Sequence, residues 1–398
     1  MKKFVIKVVV LFCLGFMLTF PLGFEYLPEL YQYTNFLSEK SIVFFAHSIF
    51  DTPLSTTKLL SDSKALYIHT FLWCICCIVI ASLVEVSERF FSLKIPYSKK
   101  TAYWFLAVLR YYLILVLLQY GFAKLFKTQF YLPEPNTLFT PLGFLDKDIL
   151  YWSVVGSSAF YNYFGGMAEI MVALFLIFRR TYVLGGVLSV LLFSHVVAIN
   201  IGFNISVKLF SSFLLLISFI LIVPQLQSLF YFFLTQKLIS KEHISISYPS
   251  RKARIIYLSL KSLVVFGLFF ITLYPYFLRN SFNDDDIKRP ILHGAYEVIS
   301  NHSKKDKLFI NNDTKRIFIH RKKYLITQDY QDRFIDYKIN SQSNRINVFS
   351  DSKKITFDFF YLNDSTLSLE SDQQQIILKK IDWKKLPLLN DTTEWIVE

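Results

Sequence analysis

Six residues in the apolar part of the sequence could do chemistry: Arg110, Lys124, Glu169, His195, Asn200 and Lys208. Each is costly in hydrocarbon, and each lies within or at the edge of a run long enough to cross a bilayer. Arg110 and Lys124 are fourteen positions apart. At 100° per residue that returns them to one helix face, separated by about 21 Å along the axis. Ile114, Leu117 and Gly121 fill the stripe between them. By helical rise, Arg110 lies about 12 Å in from the start of its span and Glu169 about 13 Å from the end of another. Equal depth predicts an ion pair inside a helix bundle, read either as a clamp between helices or as part of a substrate-binding site.

Lys124, His195, Asn200, Asn204 and Lys208 fall in the opposite half of the membrane and predict a second polar cluster. Lys124 and His195 are the candidate catalytic pair. A lysine desolvated beside another cation becomes a usable base, and an imidazole either moves protons or hydrogen-bonds between helices. Arg110, Glu169, Asn200 and Lys208 are the candidate substrate-binding groups, although Lys124 and Lys208 also lie close enough to the boundary to snorkel into headgroups. Cys13, Cys74, Cys76 and Cys77 all sit in apolar runs, so no disulfide framework or metal-ligand spacing is expected. The glycine pairs Gly165-Gly166 and Gly185-Gly186 read as sites of close helix approach rather than phosphate loops.

The elements that must position these residues follow from hydropathy. The 398-residue chain is 53% hydrophobic and 18% aromatic, with a mean hydropathy of +0.39. Apolar runs predict about seven transmembrane helices: 1–23 as a retained anchor (a cleaved signal peptide being the competing reading), then 66–86, 102–126, 157–178, 182–203, 206–233 and 255–278. Between 24 and 65, Pro28 and Pro53 predict a broken, mixed segment, with a short amphipathic piece near 42–49. The net charge of +13 is spread over short loops without a basic run interleaved by stacking aromatics, which excludes a nucleic-acid partner and leaves the lipid bilayer. Lysines and arginines at the N-terminus, at 89–100, at Arg179-Arg180 and at 236–254 fall on one side of the alternating spans. They predict a cytoplasmic N-terminus and an extracytoplasmic C-terminus in a cytoplasmic (inner) membrane. From 280 onward the pattern changes to short alternating runs such as KRIFIHRKKYLIT and KKITFDFFYL. Period-2 alternation there predicts about eight strands in a small antiparallel β barrel or sandwich. The expected domains are 1–101, 102–235, 236–279 and 280–398.

An intramembrane arginine followed by Gly121-Phe122-Ala123-Lys124-Leu125, then a glycine-containing span with Glu169 and a short arginine turn, resembles the DoxX-like four-helix membrane proteins over roughly 102–233. The extra spans and strand-rich tail resemble the longer DoxX-like proteins of Bacteroidetes. Some members are similar to the small subunit of a thiosulfate:quinone oxidoreductase, which implies a quinone-linked redox subunit with quinone as cofactor; most have no assigned activity. The string Tyr120 to Leu125 also resembles a stretch in the membrane domain of vitamin K-dependent gamma-carboxylase, where the lysine matching Lys124 is the implicated base. A third expectation is a non-enzymatic envelope scaffold whose β domain binds a protein partner or lipid.

Overall fold

The computed structural model describes residues 2–20, 30–48, 54, 59, 61–90, 99–236, 250–303, 310–342, 344–350 and 353–390. It divides into two compact units, Met1–Phe122 with Gly166–Asn280 and Ala123–Gly165 with Ser281–Glu398. The sequence reading keeps 102–235 together as one domain; the structure instead groups 123–165 with the tail.

The helical unit is built from α1 (Lys2–Thr19), α2 (Leu30–Ser48), α3 (Lys64–Phe90), α4 (Lys99–Leu125) up to Phe122, α7 (Ala159–Ile177) from Gly166 onward, α8 (Tyr182–Gly202), α9 (Lys208–Ile222), α10 (Leu226–Thr235) and α11 (Arg251–Arg279), with α5 (Pro135–Leu138), α6 (Lys147–Ser157) and the remaining ends of α4 and α7 in the other unit. Among the described residues, six stretches are long and apolar enough to cross a membrane: Lys64–Phe90, Lys100–Leu125, Ala159–Ile177, Tyr182–Gly202, Lys208–Thr235 and Arg251–Asp286. The chain is a multi-pass membrane protein. The expected first span corresponds to α1, which is not among these six because its 18 residues carry three lysines; it packs antiparallel to α3. Lys7 Nζ donates to Glu85 at 2.8 Å and Glu88 at 2.7 Å near one end. Further along, Trp73 Nε1 donates to the Phe12 carbonyl at 3.4 Å. A Cβ on Gly15 would lie 1.9 Å from the Trp73 ring, so only glycine permits this approach. Pro28 and Pro53 were expected to break any long helix in 24–65; they bracket the 19-residue α2 instead.

Close backbone approach recurs through the bundle. A Cβ on Gly185 would meet the Leu176 backbone nitrogen at 2.8 Å, and one on Gly186 would meet Ile222 at 2.7 Å. Gly121 faces Ile170 and the Gly166 carbonyl, which fixes the register of α4 against α7. The glycine pairs therefore do serve helix packing.

In the second unit, eight antiparallel strands close into an up-and-down barrel: β1 (Gly294–Ser303), β2 (Thr314–His320), β3 (Tyr324–Asp329), β4 (Phe334–Gln342), β5 (Arg345–Ser350), β6 (Lys353–Asn363), β7 (Thr366–Glu370) and β8 (Gln374–Ile381). The run KRIFIHRKKYLIT becomes the β2–β3 hairpin, with Ile319 paired to Leu325 across the turn. Alternation sends Ile317, Ile319, Leu325, Ile346, Phe357 and Leu378 inward to fill the interior. On the outer surface Ala295, Phe318, Ile326 and Trp383 form a second apolar cluster, covered by Leu132, Leu138 and Phe139 from the 123–165 segment. Closure through β1 and β8 leaves no unpaired strand edge.

Candidate functional site

The antiparallel register of α4 and α7 decides the fate of the expected Arg110–Glu169 pair. Gly121 is level with Gly166 and Ile170, and the charge of Glu169 reaches Tyr120. Arg110 is eleven residues back along α4, or roughly 16 Å by helical rise. Its guanidinium instead lies 5.3 Å from the Tyr111 ring centroid and 5.9 Å from that of Tyr182, at the start of α8. The reason is length: α4 has 27 residues and α7 has 19, so α4 overhangs α7 and depths counted from each helix end do not coincide. Arg110 and Glu169 do not form the predicted ion pair.

The second predicted cluster assembles in part. Asn200 is buried and donates from Nδ2 to Ser211 Oγ at 3.0 Å, and Ser211 Oγ donates to the Lys208 carbonyl at 3.0 Å. Lys208 Nζ donates to the Ile205 carbonyl at 3.1 Å and stands 3.9 Å from Asp62. Asp62, missed in the sequence, accepts from the backbone nitrogens of Lys208 at 2.7 Å and Leu209 at 3.1 Å. It caps α9 from 146 residues away. His195 departs from expectation. It is exposed on the surface of α8, five residues and so about 140° round the helix from Asn200. Lys124 belongs to the other unit, where its Nζ lies 5.8 Å from the Phe130 ring centroid and its Cδ packs against Gly165. The two candidate catalytic residues fall in different units.

Among the described residues and contacts, the densest polar constellation lies in the barrel unit, where the sequence places no candidate site. Glu134 precedes α5 and is 5% exposed. Its Oε2 is 2.9 Å from His293 Nε2 and accepts the Arg321 backbone N–H at 3.2 Å; His320 Nε2 stands 4.0 Å away. Asp284 accepts two bonds from Arg321, each 2.7 Å, and one from Arg289 at 3.0 Å. The Arg321 guanidinium lies 4.2 Å from the Tyr131 ring centroid. Lys127 pairs with Asp285, which also accepts the Leu132 backbone N–H at 2.9 Å. Burial alone would push the Glu134 carboxyl up; the His293 hydrogen bond, the His293 and His320 charges and the Arg321 N–H outweigh it and hold the carboxyl below its ordinary value. Burial pushes His320 down, partly offset by Glu134 and reinforced by Lys322, His293 and Arg321. The Lys322 backbone N–H donates to His320 Nδ1 at 3.0 Å, which puts the neutral ring's proton on Nε2.

These carboxylates are filled acceptors, surrounded by donors. Chemically the constellation fastens the β2–β3 turn and the approach to β1 onto the 123–165 segment. Its sequence signals were the Pro133-Glu134-Pro135 triplet, the acidic run 284–286 and the basic turn 320–323. Among the described residues no group of three or more His, Cys, Asp or Glu is arranged to hold a metal ion. No protein-family profile, curated protein or solved structure matches the chain.

Proposed function

We propose that the protein is a multi-pass scaffold of the cytoplasmic membrane, built on a DoxX-like helical core, that carries its β barrel on the extracytoplasmic side to engage a protein partner. The observation that carries this reading is how polar side chains are used. Asp62, Asn200, Lys208 and Ser211 serve helix ends and helix–helix contacts, while Glu134, Asp284 and Arg321 lock the barrel to its covering segment. The barrel interior is packed with its own side chains. The outer face of β4–β6 offers exposed cross-strand pairs, Arg345 with Asp358 at 2.6 Å and Thr356 with Asn347 at 2.7 Å, beside Phe349 and Lys354. Orientation is supported by contacts that gather the basic helix ends at one end of the helical unit: Lys7 with Glu85 and Glu88, Arg110 with Tyr182, and Lys261 with the end of α7.

The test is complementation of a deletion strain. Lys124→Gln and His195→Gln should restore the wild-type phenotype, and Phe349→Glu with Lys354→Glu on the outer barrel face should not. The reverse pattern would sink the scaffold reading. A gamma-carboxylase-like enzyme with Lys124 as base is a second reading, favoured by the partial burial of Lys124 against Phe130. It requires Lys124→Arg to be inactive, since arginine keeps the charge but offers no neutral form. A quinone-linked role requires quinone to copurify with the protein.

A further inference from the structure

The chain between α4 and α7 uses its apolar side chains in two ways. Leu132, Leu138 and Phe139 pack on the outer apolar cluster of the barrel. Leu142 and Phe144, which follow directly, are 70% and 71% exposed, and a Cβ added at Gly143 between them would meet no atom of the described residues within 4 Å. These three residues form a single 3-10 turn. Its backbone is satisfied from within: the Phe144 N–H donates to the Pro141 carbonyl at 2.9 Å and the Leu145 N–H to the Leu142 carbonyl at 3.3 Å. An apolar turn whose donors are already used can enter a low-dielectric surrounding without stranding a polar group.

What the turn meets follows from where the chain goes next. α6 has 11 residues, about 16 Å by helical rise, and the membrane-spanning α7 begins at Ala159. Between them Ser158 is extended, with φ −107° and ψ 110°, which turns the chain off the α7 axis. The joint is fixed on both sides. Ser158 Oγ accepts the Tyr161 N–H at 3.2 Å and caps α7, while Asn162 Nδ2 donates back to the Val155 carbonyl at 2.8 Å and the Ser158 carbonyl at 3.0 Å. α6 therefore leaves the bilayer boundary at an angle to the span rather than as its continuation. Val154 is exposed on α6, and Leu150 lies one turn earlier on the same face. Phe160 and Phe164, one turn apart at the start of α7, are exposed as well. Apolar surface thus continues from a helix that lipid already surrounds, along α6, to the 142–144 turn. Asp146 and Lys147, exposed between the turn and α6, confine any insertion to the headgroup level.

We propose that Leu142, Phe144, Leu150 and Val154 insert into the headgroup–acyl boundary of the bilayer on the side where α7 begins. The segment that covers the barrel then has a lipid contact of its own, besides the two spans that flank it. A short helix and turn with exposed apolar side chains and charges at their edge bind a bilayer in this way.

The experiment uses the full chain in vesicles of phosphatidylcholine and phosphatidylglycerol, with the photo-crosslinking residue benzoylphenylalanine placed at one position at a time and adducts identified by mass spectrometry. Position 160 on the span is the internal standard for lipid, and position 354 on the outer barrel face the standard for water. Positions 142 and 144 should give lipid adducts at a yield close to that at 160 and several-fold above that at 354. Leu142→Asp with Phe144→Asp, at exposed sites where the fold is safe, should lower the lipid adducts of a probe at position 154 several-fold. Adducts at 142 and 144 to a second copy of the chain would overturn the proposal by showing a protein interface. A yield no higher than at 354 would overturn it by showing a turn in water, and an unchanged yield at 154 in the double variant would show that the turn does not hold α6 at the surface.

Discussion

The two units handle polar groups in opposite ways. In the helical unit, described polar contacts join helices singly, as Lys7 with Glu85 and Glu88 and Asn200 with Ser211, and the closest packing is at glycines: Gly15 against the Trp73 ring, Gly121 and Gly186 against the Ile170 and Ile222 side chains, and Gly185 against the Leu176 backbone. In the barrel unit, buried carboxylates and cations form a dense network around Glu134, Asp284 and Arg321. The difference teaches what each surrounding demands. Between helices in lipid there is little hydrophobic driving force, so close van der Waals contact through small residues holds the bundle. The barrel has a water-facing exterior and a filled apolar interior, and charge pairing fastens an irregular segment whose backbone makes few regular hydrogen bonds.

The comparison breaks most visibly at Asp284. Asp284→Ala leaves Arg321 and Arg289 without their shared carboxylate in a largely buried site and should cost the barrel unit about 3–5 kcal/mol. Hydrogen exchange should then accelerate in β1–β3 and in 123–165 while α7–α9 keep their protection. Gly185→Leu is the converse. Its side chain would collide with the Leu176 and Phe175 backbone, at a cost of about 1–3 kcal/mol or more. Faster exchange in α7 and α8 with an unchanged barrel is the expected signature; equal disturbance of both units would erase the contrast.

A smaller effect is expected at Asp62. Asp62→Ala removes the cap of α9 and should cost about 1 kcal/mol, seen as faster exchange of the Lys208 and Leu209 amides. The mildest lever is pH. His320 titrates below its ordinary value of 6.5 in the fold, so its neutral form is favoured and stability is lost as pH falls below that value. Glu134 is also held below its ordinary value of 4.5; its contribution is full above that value and lost as pH falls through the lower folded one. Both shifts have one sign. Melting of the barrel unit should therefore decline in two stages on acidification, and His320→Asn should remove the first stage and, by taking away one of the charges that hold Glu134 down, shrink the second.

Much of the architecture was legible in order of residues. The apolar runs from 66 to 278 became helices within a few residues of the expected bounds, because twenty apolar positions in succession have few other ways to satisfy their backbone. The alternating tail became eight strands because period 2 presents one apolar face to a core. The barrel-or-sandwich choice was left open, since closure depends on β1 meeting β8, a pairing between the first strand and the last. Polar residues were harder to read. Asn200 and Lys208 share a cluster because a tight turn keeps them near each other in sequence as well as in space. His195 is exposed while Asn200 is buried, because five residues turn a helix by about 140°, an azimuth that depth along the axis does not carry.

Composition and periodicity by themselves determined that this chain crosses a membrane several times and ends in a strand-rich domain, because backbone hydrogen bonding and burial act locally along the chain. Tertiary structure alone decided which charges meet. Arg110 finds Tyr182 in place of Glu169, Asp62 caps a helix 146 residues away, and Glu134 meets His293 across 159 residues. Each such meeting depends on relative helix length, register and closure, which are relations between elements rather than properties of any one of them.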